Sequence, residues 1–228
     1  MIILGNGPSV QLYDLNKIAH FPCLAANRFH LSYRDHKLRP RATFCIDPQV
    51  VDDHISGIQA SCASTLYVPR QFAWRVFKKI GLKAATIRYF PFDRGDKPLR
   101  FSSHFSRFTG NGASVVYTAI QYAASQHVKD IYLYGIDHNF HINTVDDNGM
   151  VIDQGEDNHF IKGYRKPNGK WFPPDKDRIE NAFRLARHEC EKQDITIWNA
   201  TRGGALEIFD RIDFDHACER IAKSCQSL

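Results

Sequence analysis

Short apolar runs of strand length alternate along this chain with stretches whose apolar residues recur at helical spacing. Met1-Ile2-Ile3-Leu4, Cys23-Leu24-Ala25-Ala26, Ala42-Thr43-Phe44-Cys45-Ile46, Thr65-Leu66-Tyr67-Val68, Thr86-Ile87-Arg88-Tyr89, Ile131-Tyr132-Leu133-Tyr134 and Ile195-Thr196-Ile197-Trp198 read as strands. Between them, Ala73, Val76, Phe77 and Ile80 mark a helix that stops at Gly81, and Val116, Ala119, Ile120 and Ala123 mark another. A third follows Pro173-Pro174, with Asp175 as N-cap and Ile179, Ala182, Phe183, Ala186 and Cys190 on one face; a short amphipathic helix starts at Phe214. The alternation predicts an α/β fold with a mostly parallel sheet and helices on both faces. Periodicity vanishes between His138 and Pro174, where Asp157, His159, Tyr164, Arg165 and Trp171 mix polar and aromatic character. We read residues 138-174 as a lid inserted into one nucleotide-binding domain made of 1-137 and 175-228.

In open α/β sheets ligands bind outside the carboxyl ends of the strands, so the residues just after each apolar run carry the candidate chemistry. Those sets are Gly5-Asn6-Gly7-Pro8-Ser9, Asn27-Arg28, Asp47, Asp137-His138, and the turn from Asn199 to Gly204 with Arg202. In the first, Pro8 is placed for a first helical turn and Ser9 for the helix start, where free N–H groups and a positive dipole end suit a phosphate. No third glycine completes a dinucleotide fingerprint, and no G-K-[ST] makes a Walker loop. Gly110-Asn111-Gly112 reads as a flexible turn with Thr109 and Asn111 as local hydrogen-bonding groups. Residues 91–106, rich in Pro, Gly, Ser and charge, read as a long loop of the kind that often carries function.

Composition narrows the classes. With 228 residues and 43% hydrophobic content the chain can bury one sizeable core. Neither a secretory leader nor an apolar run of membrane-spanning length is evident, so a cytoplasmic protein is expected. The six cysteines show no metal-ligand spacing and are expected reduced and structural, with no metal site. A net charge of +5 without a basic stripe gives no motive for nucleic-acid binding and suits an anionic small substrate. A peripheral membrane contact and a homo-oligomer both stay open.

Asn and Asp at strand ends match sugar hydroxyls and base edges, so the inventory suits a nucleotide-linked substrate. It suits serine hydrolysis poorly, because no G-x-S-x-G elbow occurs. Asp146-Asp147-Asn148-Gly149 is not an EF-hand loop, since Thr144 stands where an acid is needed and no closing glutamate follows. His159 is the strongest candidate for a general base, with His138 beside Asp137 as its rival.

The ordered set GNGPS, Asn27-Arg28-Phe29, Arg107-Phe108-Thr109-Gly110, KDIYLYGID and Asp157-Asn158-His159-Phe160 resembles the bacterial sialyltransferases of glycosyltransferase family 42. It is more similar still to the MAF-flag or MptE-like (6-hydroxymethylpterin pyrophosphokinase-like) family, which the closing NATRGGALEIFDRIDF also resembles. The resemblance spans nearly the whole chain. It implies a Rossmann-like sheet, a lid over a CMP-linked donor, and inverting transfer without a metal cofactor. It further implies His159 as catalytic base, Asn6 and Asn27 as nucleotide contacts, and Arg107 and Thr109 in the turn that meets sugar carboxylate and acceptor. Three positions depart from the sialyltransferase pattern: Asp47 replaces an asparagine, Gly110 a serine, and Asn139 the tyrosine that helps the departing phosphate. Tyr164 or His138 is then the candidate substitute for that tyrosine, and nucleotide binding is implied more firmly than sialic acid. The expected function is therefore a glycosyltransferase using a nucleotide-activated sugar and a glycan acceptor, for polysaccharide biosynthesis. His159 and Arg107 would be catalytic, and Gly7, Ser9, Arg28, Gly110, Asn111 and Arg202 would join the binding residues named above. The alternatives are an MptE-like pyrophosphokinase, with Mg held by Asp47, Asp137 and Asp157, and a non-catalytic nucleotide-binding protein.

Overall fold

The computed structural model describes residues 1–61, 65–81, 86–95, 98–155, 157–165 and 168–226. In chain order the elements are β1 (Ile2–Leu4), α1 (Leu12–Lys17), β2 (Cys23–Ala26), β3 (Ala42–Phe44), α2 (Pro48–Ser61), β4 (Thr65–Pro69), α3 (Ala73–Ile80), β5 (Ile87–Phe90), α4 (Val115–Ala124), β6 (Asp130–Tyr134), β7 (Val151–Ile152), β8 (Lys170–Trp171), α5 (Lys176–Glu191), β9 (Thr196–Asn199), β10 (Asp210–Arg211) and α6 (Phe214–Gln226). Eight strands form one sheet in the order β10-β9-β6-β1-β2-β3-β4-β5, with every neighbouring pair parallel. This is a Rossmann-like α/β architecture.

Strand side chains alternate between faces, and each face has its own helices. Ile3, Leu24, Phe44, Leu133 and Ile197 pack against α4 and α5 through Ile120, Ala123, Ala182, Phe183 and Ala186. Ile2, Leu4, Cys23, Ala25, Tyr132 and Tyr134 pack the opposite way, on Leu15 and Ile18 of α1 and on Phe214, Ala217 and Ile221 of α6. Leu66, Val68 and Ile87 extend that second layer onto Val51, Ile55 and Ile58 of α2 and Val76 of α3. The expected face of α5 is buried throughout, and Asp175 caps it by accepting from the Arg178 N–H at 3.0 Å.

Several expectations change. Phe77 was expected in the core, but α3 buries only Val76, and Phe77 stacks on Trp74 in solvent. Pro8 and Ser9 lie in a turn, and α1 starts at Leu12, because the Ser9 N–H is taken by a carboxylate instead of opening a helix. The 110–112 turn is fixed. The Gln121 side chain bonds both the N–H and the carbonyl of Gly110, and a Cβ there would lie 1.7 Å from the Arg100 carbonyl oxygen. Glycine is needed at 110 for close approach, not for freedom. The loop around 91–106 packs inward through Phe92, Leu99, Phe101 and Phe105. The segment expected to lack regular structure holds a small antiparallel pair, β7–β8. There Asp146 closes a turn by accepting from the Asn148 and Met150 N–H groups. Of the cysteines, Cys23, Cys45, Cys190, Cys218 and Cys225 are free thiols, while Cys62 lies outside the described residues. No helix among the described residues is long and apolar enough to cross a membrane.

Candidate functional site

The chain lays β1 to β5 outward in one direction, then returns to place β6 on the other side of β1. The order therefore reverses between β1 and β6, and a crevice opens at the carboxyl ends of those strands. Its floor is Gly5-Asn6-Gly7 and Gly135-Ile136-Asp137. Its walls come from Asn27 after β2, the start of α4, and His159 and Tyr164 of the segment between β6 and α5. The cavity is about 170 Å³. A second, of about 160 Å³, lies over the ends of β2 and β3 and is lined by Asn27, Arg28, Asp47, His159, Tyr164 and Arg165 among others.

Asn27, His159 and Tyr164 line both cavities, so they form the shared wall. The two rings stack nearly parallel, with centroids 3.7 Å apart and planes 8° from each other. The inserted segment is tied across the strand ends at two places. The Phe160 N–H donates to the Asn6 carbonyl at 3.1 Å, and the Gln49 side chain to the Lys170 carbonyl at 2.7 Å.

Asn6 donates from Nδ2 to the Ala26 carbonyl at 2.9 Å and to the Tyr164 hydroxyl at 3.4 Å. A carbonyl can only accept, which fixes the amide orientation and leaves Oδ1 buried without a donor. The Oδ1 of Asn27 is likewise buried and unpaired, on a residue held at φ 50°. Buried polar atoms are seldom left alone, so these two acceptors are places where a donor is missing among the described residues. Tyr164 accepts from Asn6 and from the Arg28 backbone, which leaves its own proton free to donate outward. Burial pushes its phenol up to about 12, so it stays protonated at neutral pH. Burial, and then the cations Arg165 and Arg28, pull the His159 imidazole down to about 3, so it is neutral there.

Gly7 and Ser9 hold an internal anion. The Ser9 N–H and hydroxyl donate to the two carboxylate oxygens of Asp137 at 3.2 and 2.7 Å, and a Cβ at Gly7 would meet Asp137 Oδ2 at 1.9 Å. The place expected for a phosphate is occupied by this side chain. Burial raises the Asp137 carboxyl against the opposing pull of Ser9. His138, at φ 53°, bonds Glu180 of α5 through Nε2 at 3.2 Å, and its ring lies against Phe140 and Phe183. Asp47 caps α2, accepting from the Gln49 N–H at 2.8 Å.

Other expected site residues fall elsewhere. Thr109 is fully buried and donates to the Phe105 carbonyl, and Asn111 accepts from the Ala113 N–H within its own turn. Arg107 is exposed and lines neither cavity. Arg202 is drawn away by Asp14, which it grips through Nε at 2.7 Å and a second nitrogen at 3.0 Å. The turn from Asn199 is also structural: the Asn199 side chain donates to the Leu206 carbonyl, and the Ile136 N–H donates to Thr201. Conversely, the second cavity is lined by Gln49, Asp53 and His54 from the first turns of α2, which the strand-end rule passes over. Asp47-Pro48 is the cap-and-proline pair that would have placed that helix start.

Fold and crevice together define a Rossmann-like α/β protein with a cavity at the sheet's switch point, under an inserted segment. No family model, no characterised protein and no solved structure matches the chain.

Proposed function

We propose that the protein is a glycosyltransferase that moves a sugar from a nucleotide-activated donor to a glycan hydroxyl, with His159 as general base. The observation that carries this is the shared wall. The unpaired acceptor of Asn27, a protonated phenol and a neutral imidazole border both cavities, and the unpaired acceptor of Asn6 borders the first. Sugar and ribose hydroxyls supply the donors that the two asparagines lack. A neutral imidazole is the form that can take a proton from an attacking hydroxyl. The Tyr164 hydroxyl can donate to the departing phosphate, the role for which the sequence offers no tyrosine at position 139.

Transfer would run as a direct displacement. The acceptor oxygen loses its proton to His159 and bonds the sugar's anomeric carbon as the bond to the phosphate oxygen breaks, and the phosphate leaves with that electron pair. The two cavities share one wall, so a donor that spans both would displace part of that wall. The inserted segment, tied at Asn6 and Gln49, is the element that would move. Arg107 and Arg202 leave this scheme on position. CMP remains the nucleotide that the sequence resemblance implies. No specific contact favours the pyrophosphokinase alternative: Asp47 is a helix cap and Asp137 is held by Ser9.

The test pairs binding with turnover. A thermal-shift screen with CMP, UDP, GDP and ATP should single out one nucleotide, because a ligand bound only by the folded state raises Tm. His159→Ala should abolish transfer from the matching nucleotide sugar while keeping the nucleotide-dependent Tm rise. Unchanged turnover would remove His159 from the mechanism, and loss of turnover with EDTA would favour the kinase.

A further inference from the structure

We infer that Arg28 and Arg165 form an anion-binding subsite, on the Asp47 side of the His159–Tyr164 stack, that takes a phosphate or carboxylate group of the ligand. Both arginines line the second cavity. Both have a buried Nε without a hydrogen-bond partner among the described residues. Neither enters an ion pair among the described residues. Acids act on them only at a distance, Asp53 on Arg28 and Asp153 and Asp47 on Arg165. A desolvated guanidinium without a counter-charge is costly, and arginine keeps its proton under any ordinary condition.

Each is instead held against an aromatic face: Arg28 over Tyr164 at 5.2 Å from the ring centre, and Arg165 over Trp171 at 4.0 Å. Such faces fix a guanidinium's plane without neutralising its charge, and leave its fork of N–H donors for a ligand. Asp53 also lines this cavity and acts on Arg28 from a distance, while two other charged groups there are engaged. Asp47 accepts from the first N–H groups of α2, and Lys170 bonds Asp146 at 2.6 Å. The glycine loop, the other candidate anion position, is filled by Asp137. An incoming anion therefore finds its vacant counter-charges at Arg28 and Arg165.

The same anion would act on His159. Arg165 and Arg28 are among the causes of its low proton affinity, so neutralising them raises that affinity toward the working range of a base. The subsite stands on this geometry alone. Only the choice between its two sources, the donor's phosphate or an acidic sugar, rests on the transferase reading.

Calorimetric titration of the intact protein with inorganic phosphate tests it, alongside CMP and a free acidic sugar. Arg28→Gln and Arg165→Gln should each weaken phosphate binding about tenfold or more, the loss expected for one charged hydrogen bond. Arg220→Gln, distant and placed beside Asp130 and Trp198, should change nothing. Phosphate should also raise the titration midpoint of the His159 ring protons. If the glutamine variants fail to fold, that wild-type midpoint decides, and its failure to move overturns the proposal. Unchanged phosphate affinity in both folded glutamine variants overturns it too, as does an equal loss in Arg220→Gln. Loss of CMP binding with the sugar unaffected assigns the donor's phosphate, and the reverse assigns the acidic sugar. Should every nucleotide sugar fail to react while phosphate binding still needs both arginines, the transferase reading falls and the subsite stands.

Discussion

Arginine is used in two opposite ways in this molecule, away from the crevice and beside it. Arg202 grips Asp14, a carboxylate that is 0% exposed, with two nitrogens, and the Tyr134 hydroxyl donates to the same carboxylate. Arg28 and Arg165 are drawn into the protein just as firmly but meet aromatic faces instead of acids. The first arrangement closes its own electrostatics and ties α1 to the turn after β9. The second leaves charge unanswered beside a cavity. The difference separates an arginine that is closed in an ion pair from arginines that face aromatic rings beside a cavity, and composition alone could not make that distinction.

Substitution should break the symmetry first in stability. Arg202→Gln takes two charged hydrogen bonds from the buried Asp14 carboxylate, which keeps that of the Tyr134 hydroxyl, and should cost about 2 kcal/mol. Arg28→Gln and Arg165→Gln remove charges that acids reach only from a distance, so their cost should stay within about 1 kcal/mol. Urea unfolding of the three variants at pH 7 measures both. Equal destabilisation by all three would mean that Arg28 and Arg165 are structural after all.

Acid sharpens the contrast. The His159 pKa is about 3 in the folded chain, against about 6.5 when unfolded. Below that upper value the unfolded chain binds a proton that the folded chain refuses. Stability is therefore full above pH 6.5 and falls as pH drops toward 3, by at most about 1.4 kcal/mol per unit for this group. His30, pulled to about 4 by burial and then Arg28, adds to the loss in the upper part of that window. His159→Ala should flatten the decline between pH 6 and 4 without removing it, and Arg28→Gln should shrink it by lifting both histidines. Denaturation midpoints at pH 7, 5.5 and 4.5 read this directly; parallel declines in wild type and both variants would contradict it.

Much of this was legible in the sequence, and what was not has a common cause. The face of α5 could be read because Ile179, Ala182, Phe183, Ala186 and Cys190 recur over about three turns. On α3, two turns long, Phe77 looked apolar by spacing while only Val76 reaches the sheet. α2 went unread although Val51, Ile55 and Ile58 are spaced for it, because polar residues and Gly57 interrupt them. The strand-end rule located Asn6, Asn27, Arg28, Asp47 and Asp137 because all eight strands run parallel and share one carboxyl edge. It could not say which polar group each would satisfy. Ser9 meets Asp137 across 128 positions, and Asp14 meets Arg202 across 188. Such pairings are decided by packing, so residues of equal promise in the sequence divide into closed pairs and open acceptors only in three dimensions.

Arg107 gives the smallest expected effect and the sharpest limit on the sequence resemblance. The similarity to sialyltransferases places it in the turn that meets the sugar. Here that turn is pinned to Gln121 through Gly110, and the Arg107 side chain is in solvent, outside both cavities. An exposed arginine without an ordered partner contributes little to folding, so Arg107→Ala should shift stability by less than about 0.5 kcal/mol. It should also leave phosphate affinity where the wild type has it, in contrast to Arg28→Gln. A tenfold loss of phosphate binding in Arg107→Ala would mean that the 104–110 turn swings over the crevice when ligand arrives, and the division between closed and waiting arginines would then have to include a third, delivered by movement.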